Sequence, residues 1–168
     1  EMVIRDWSSD VCSSDLSITY EKLNDEFSTD IFTVDALRGK LGINAIESKK
    51  SLYDLVVLDS MGVEKNFAES LEREDDVVVY TKLPRGFYIN TPMGKYNPDW
   101  AVAFREGSVK HVYFVAETKG NDLLSSQIRS SEKSKITCAM RHFDAISDGS
   151  LIYSVVKDYQ SLYDVVRK

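Results

Sequence analysis

Residues 97–119 decide how this chain folds, and they read NPDWAVAF (97–104), REGSVK (105–110) and HVYFVAETK (111–119). The outer segments are apolar and β-rich and the middle one is a short polar turn, so the stretch predicts a β-hairpin. Asp99 begins the first strand, and Glu117 and Lys119 end the second. Alternate residues of a strand point to one face, so Glu117 and Lys119 should project together, with Asp99 beside them. Two carboxylates and an amine in one small volume are the functional groups that metal-assisted phosphodiester hydrolysis requires.

Elements on both sides of the hairpin predict an α/β fold. A helix is expected over residues 62–74, with one apolar stripe (Val63, Phe67, Ala68 and Leu71) and Glu64 near the stripe's centre. Residues 76–83 predict a strand, the prolines and glycines of 84–94 predict loops, and 124–146 predict a long helix. Its buried stripe should hold Ile136, Ala139, Met140, Phe143 and Ile146.

The chain should close with a strand over residues 151–156 and a short tail helix. Residues 52–58 fit a strand or a buried helical turn, and 33–38 fit a short helix. The expected core order is α-β-β-β-α-β, with a mixed central β-sheet flanked by helices.

Length and composition favour one soluble domain. The chain has 168 residues, of which 43% are hydrophobic and 29% are charged, and no apolar run reaches the roughly 20 residues that span a bilayer. Two cysteines and two histidines argue against a disulfide framework and a zinc centre, and favour a reducing, cytoplasmic location without membrane contact.

The charge distribution favours a nucleic-acid partner more than the net charge of −6 does. From Lys82 to Arg141 there are ten Lys/Arg and five Asp/Glu, so the half that holds Asp99, Glu117 and Lys119 is locally basic.

Residues 1–16 have a near-repeat, Ser-Ser-Asp-Val/Leu, and no helical or strand period. We expect them to be a non-native leader, similar to translated sequencing-adapter segments, and the natural chain to begin further upstream. The domain should cover residues 17–168, with its core at about 60–157.

The predicted site has ligands suited to Mg²⁺, which prefers oxygen. Asp99 and Glu117 would bind the metal, the Thr118 carbonyl would add a third ligand, and Glu64 would supply a further carboxylate. Lys119 would orient the attacking water. Simpler interpretations stay open at this point: Asp99 as a turn cap, Glu117 with Lys119 as a solvated ion pair, and Glu64 as an exposed helix-start acid.

Candidate contacts to DNA phosphates lie on two segments. They are Arg85, Lys95 and Tyr96 on the predicted loop, and Gln127, Arg129 and Lys135 on the long helix. For Arg129 and Lys135, a solvated helix face is the simpler interpretation.

The site pattern resembles that of the PD-(D/E)xK nuclease superfamily. Four segments (63–68, 82–100, 115–120 and 135–143) are similar to the C-terminal endonuclease domain of the restriction (Res) subunit of type III restriction-modification enzymes. The resemblance covers most of residues 30–168 and implies a restriction-endonuclease-like three-layer core. It also implies that Asp99, Glu117 and Lys119 are catalytic, with Mg²⁺ (or Mn²⁺) as cofactor.

The implied substrate is double-stranded DNA, and the implied partners are a methyltransferase (Mod) subunit and the helicase part of a full-length enzyme. The sequence has no Gly-x-x-x-x-Gly-Lys-Ser/Thr loop, so it holds no ATP site of that kind. Two alternatives remain: a stand-alone nuclease of the same superfamily, and a catalytically silent DNA-binding or subunit-docking module. The intact set of Asp99, Glu117 and Lys119 argues against silence.

Overall fold

The computed structural model describes residues 39–109, 113–118, 130–147 and 149–168. The predicted leader (1–16), the predicted helix at 33–38 and the start of the long helix (124–129) lie outside these ranges. The described elements, in chain order, are β1 (Ala45–Glu47), β2 (Leu55–Val57), α1 (Val63–Arg73), β3 (Val77–Lys82), β4 (Ile89–Thr91), β5 (Gly94–Tyr96), β6 (Trp100–Phe104), β7 (Tyr113–Thr118), α2 (Ser130–Ile146), β8 (Leu151–Val156) and α3 (Tyr159–Val166).

A mixed four-stranded sheet in the order β3-β6-β7-β8 forms the centre. The first three strands are antiparallel and β8 joins parallel to β7. The predicted hairpin is confirmed, because β6 pairs with β7 from Trp100–Ala116 to Ala103–Tyr113. Gly107 has φ +84° in the turn that follows β6, a backbone conformation that other residues rarely adopt. The predicted α/β class is therefore confirmed.

Two hydrophobic clusters cover opposite faces of β8, because successive side chains of a strand alternate. Val156 belongs to the cluster formed with α1 and α3, whereas Tyr153 belongs to the cluster formed with α2. In α1, Phe67 and Leu71 are fully buried as predicted, and each burial is worth roughly 1.5–3 kcal/mol. The strands β6 and β7, which carry the predicted site residues Asp99 and Glu117 at their ends, lie in the middle of this sheet between β3 and β8.

Two predictions about local structure were wrong. The segment read as loops contains the β4–β5 hairpin, in which Gly94 has φ +97° and its carbonyl accepts a 2.6 Å hydrogen bond from the Thr91 hydroxyl. Met140 of α2 is exposed because it lies at the margin of the apolar stripe, whose centre falls between Ala139 and Phe143. The ambiguous segment 52–58 contains a strand, β2, and the tail helix is confirmed as α3.

Glu72, near the end of α1, forms hydrogen bonds that hold residues 48–50, the segment before β2, against the helix. Its carboxylate accepts hydrogen bonds from the Ser48 hydroxyl (2.7 Å), the backbone N–H groups of Lys49 (2.8 Å) and Lys50 (3.4 Å), and the Tyr80 hydroxyl (3.1 Å). Partial burial opposes ionisation, but the hydrogen bonds outweigh it and lower the pKa of Glu72. Burial, aided by the charge of Glu72, raises the pKa of Tyr80 to about 12.

Among the described helices, none combines the length and the apolar composition required to cross a membrane.

Candidate active site

Asp99 stands where three strands meet. Pro98 before it is buried, and Trp100 after it begins β6. The backbone carbonyl of Asp99 accepts a 2.8 Å hydrogen bond from the N–H of Leu83, just beyond β3. Its carboxylate Oδ2 accepts two further bonds from Thr118, the last residue of β7: one from the backbone N–H (2.8 Å) and one from the hydroxyl (3.0 Å). The structure therefore brings the Asp99 carboxylate to the end of β7, as the hairpin predicted.

The backbone of Glu117 lies next to that of Asp99, because the neighbouring residues Ala116 and Trp100 are register partners. On its other side Glu117 pairs in register with Val155 of β8. The side chain of Glu117 and the whole of Lys119 lie outside the described residues, so their meeting with Asp99 stays a prediction.

Glu64 is a buried carboxylate that is paired with a lysine. It lies in the first turn of α1, and its oxygens are 2.9 and 3.0 Å from Nζ of Lys82. Oε2 also accepts hydrogen bonds from the backbone N–H groups of Asp59 (2.7 Å) and Ser60 (3.1 Å). Nζ of Lys82 contacts the exposed Asp59 carboxylate as well, at 2.6 Å. The exposed-acid interpretation of Glu64 is therefore wrong, since the side chain is buried.

Lys82 is a further residue of this region, beyond those that the sequence predicts. It is the last residue of β3 and the register partner of Trp100. Directly opposed residues share one face of a sheet, so Lys82 is on the face that α1 covers. A signal for this was present in the sequence, because Lys82 is two residues from the buried Tyr80 and so shares its face.

Trp100 connects the packing of α1 to the Asp99 region. It is fully buried, with its ring 5.6 Å from that of Phe67 on α1 and 6.2 Å from that of Tyr80 on β3. Its indole Nε1–H donates a 3.2 Å hydrogen bond to the Thr118 hydroxyl. The sequence predicts a role only for the backbone carbonyl of Thr118, because no local pattern indicates this side-chain contact.

The predicted DNA contacts lie near the β4–β5 hairpin where the structure describes them. Arg85 and Lys95 are exposed. The ammonium of Lys95 sits 3.7 Å from the ring centre of Tyr88, and Nζ of Lys135 on α2 donates a 3.2 Å hydrogen bond to the Lys95 carbonyl. The ammonium of Lys135 therefore lies against the backbone of β5, the strand that carries Lys95.

Tyr96 requires a correction, because it lies in the core. It is only 6% exposed, packs in the cluster with α2, and shares a short hydroxyl–hydroxyl hydrogen bond with Tyr153. A buried hydroxyl that already has a partner is not available to a DNA phosphate. Gln127 and Arg129 lie outside the described residues.

The donor chemistry at Asp99 suits a hard divalent cation, since carboxylate and carbonyl oxygens are the groups that Mg²⁺ prefers. Within the described part of the chain, no three His, Cys, Asp or Glu residues form a cluster that could hold a metal. The Glu117 side chain lies outside the described residues, so the ligand set predicted from the sequence includes one carboxylate that this statement does not cover.

Comparison with known proteins gives one finding. A family model described as "Endonuclease domain" matches residues 49–159, which is more than half of the chain and includes Asp99, Glu117 and Lys119. No curated protein and no solved structure matches the chain significantly.

Proposed function

Because the chain belongs to this family of endonuclease domains, we propose that it is a Mg²⁺-dependent domain that hydrolyses phosphodiester bonds in double-stranded DNA. The observation that carries the proposal is the position of the Asp99 carboxylate, held at the end of β7 by both donors of Thr118. The next residue along the chain is Lys119, and the one before Thr118 is Glu117.

In this proposal, Asp99 and Glu117 hold the metal, with the Thr118 carbonyl as a further ligand. When bound, Mg²⁺ supplies charge neutralisation at the phosphate and makes water a stronger nucleophile. Lys119 orients the attacking water and offsets negative charge at the scissile phosphate. Asp99 is pre-oriented by Thr118, so the protein spends little free energy on arranging this ligand during the reaction.

Glu64 is a further candidate ligand for the metal. Its carboxylate already has a counter-charge in Lys82, at 2.9 Å. Glu64 would therefore serve as a metal ligand only if the cation replaced the ammonium of Lys82. Otherwise the pair contributes a buried, neutralised anchor between α1 and β3.

The proposed DNA surface consists of Arg85, Lys95 and Lys135, with Gln127 and Arg129 retained from the sequence. The cation of Lys95 is held against Tyr88 and that of Lys135 against the Lys95 backbone. Contacts between lysine or arginine side chains and DNA phosphates fix the position of a duplex without reading its sequence.

The finer setting is also a proposal. We infer a restriction-endonuclease-like three-layer core, supported by the two hydrophobic clusters on opposite faces of β8. We further infer that the domain serves a type III restriction enzyme, with a Mod subunit and a helicase part as its partners. The support for this setting is the sequence resemblance across 82–100 and 115–120.

The test is nicking of supercoiled plasmid DNA in Mg²⁺ by the unaltered protein and by Asp99→Asn. Loss of one metal ligand should remove about 3 kcal/mol of transition-state stabilisation, so the rate should fall about a hundredfold. The matched control is Asp54→Asn, an exposed aspartate just before β2, which should cut at the original rate. Equal nicking by Asp99→Asn and the unaltered protein would refute the catalytic assignment.

A further inference from the structure

We propose that Thr118 and Trp100 are positioning residues that fix the Asp99 carboxylate for metal binding. The residue between Glu117 and Lys119 would then act through its side chain as well as its backbone. This inference rests on the proposed nuclease function and specifies how one of its ligands is oriented. Its basis is a continuous chain of hydrogen bonds from the Trp100 indole through the Thr118 hydroxyl to the Asp99 carboxylate, which we call the Asp99 brace.

The direction of each hydrogen bond in the Asp99 brace is fixed by chemistry. An indole N–H is a donor only, so the Thr118 hydroxyl must accept from Trp100 across 3.2 Å. The hydroxyl has one proton, and it is then directed to Oδ2 of Asp99 at 3.0 Å. The backbone N–H of Thr118 reaches the same oxygen at 2.8 Å. Two donors of one residue therefore hold one carboxylate oxygen, and the carboxylate cannot rotate without breaking both bonds.

The far end of the Asp99 brace is rigid because Trp100 is fully buried. Its ring packs against Phe67 of α1 and Tyr80 of β3. Thr118 is only 8% exposed, so water competes little for its hydroxyl. The orientation of Asp99 is thus coupled to the packing of α1, through groups that would be costly to leave unpaired.

Groups that orient a metal ligand typically change metal affinity by 10–100-fold when they are removed. Thr118→Val keeps the shape of the side chain and removes the hydroxyl, so the dissociation constant for Mn²⁺, measured by calorimetry without DNA, should rise about tenfold. Thr118→Ser keeps the hydroxyl and should restore the original affinity. The matched control is Thr81→Val, which removes a buried hydroxyl that bonds the Lys82 carbonyl. This variant should bind Mn²⁺ as the unaltered protein does.

A double-variant experiment tests whether Trp100 acts through Thr118. Trp100→Phe keeps an aromatic ring against α1 and removes the indole donor, so it should weaken Mn²⁺ binding on its own. In the Thr118→Val background it should have no further effect, because the intermediate group is already missing. Additive effects of the two changes would overturn the proposed route.

A metal-free measurement examines the Asp99 brace directly. The chain has two tryptophans, and Trp100→Phe assigns the Trp100 indole N–H signal in a ¹H–¹⁵N NMR spectrum by removing it. Asp99→Asn should shift this signal, because the Asp99 carboxylate accepts the proton of the same Thr118 hydroxyl that accepts from the indole, and Thr118→Val should shift it as well. An indole signal that is insensitive to Asp99→Asn would overturn the inference.

Mn²⁺ binding by the unaltered protein and by Thr118→Val distinguishes failure of this inference from failure of the proposed function. Failure of the unaltered protein to bind Mn²⁺ would overturn the proposed function. Normal Mn²⁺ binding that Thr118→Val leaves unchanged would overturn the positioning role alone.

Discussion

Removing the ammonium of Lys82 should destabilise the fold strongly. Lys82→Met would leave the Glu64 carboxylate with two backbone N–H donors but without its counter-charge. Breaking a buried ion pair by removing one partner costs about 3–5 kcal/mol. The two side chains keep 17% and 10% of their exposure, so we expect the lower end, about 3 kcal/mol. In a chain of this length, that loss lowers the melting temperature by about 6–12 °C.

Urea unfolding at neutral pH, followed by circular dichroism, measures this loss. The matched control is Lys65→Met, which breaks a 3.8 Å pair with Glu69 on the exposed side of the same helix, where both side chains are 37% exposed. That change should cost no more than about 0.5 kcal/mol. The double variant Glu64→Gln/Lys82→Met should recover much of the lost stability, because no buried charge remains uncompensated. The reasoning would be refuted if Lys82→Met cost no more than Lys65→Met.

Three further predictions follow from the contacts described above. Glu72→Gln should lower the free energy of unfolding by about 1.5–3 kcal/mol at neutral pH. Since the folded-state pKa of Glu72 lies below its ordinary 4.5, this stabilisation is present above pH 4.5 and lost as the pH falls through the folded pKa, so urea unfolding should show the two proteins converging in acid. Lys95→Ala and Lys135→Ala should each weaken DNA binding in a fluorescence-anisotropy titration and flatten its salt dependence, and an unchanged slope would exclude that lysine from the contact. Tyr96→Phe should leave DNA affinity unchanged and lower stability by about 1 kcal/mol through the lost bond to Tyr153; weaker DNA binding would contradict its place in the core.

Local patterns in the sequence were sufficient to predict the elements that carry the site. The β6–β7 hairpin follows from two β-rich runs and a polar turn, and α1 from the spacing of Phe67, Ala68 and Leu71. These patterns are reliable because each reflects one buried face of one element. The position of Asp99 at the end of β7 followed from the pairing alone.

The sequence did not predict features that depend on contacts between distant elements. Pro92 and Gly94 predict a break in regular structure, whereas they belong to the turn of the β4–β5 hairpin. The sequence predicts Tyr96 at the surface because nothing local indicates its partner Tyr153, which is 57 residues away. The roles of Lys82 and Trp100 were missed for the same reason, since each is defined by side chains of α1 and neighbouring strands.

The most direct test of the central claim is a crystal of this protein soaked in Mn²⁺, with anomalous scattering used to locate the ion. The account predicts an anomalous peak within coordination distance of the carboxylates of Asp99 and Glu117, with the Thr118 hydroxyl still bonded to Asp99. A saturated crystal with no peak at Asp99, or with Glu117 turned away from it, would contradict the account.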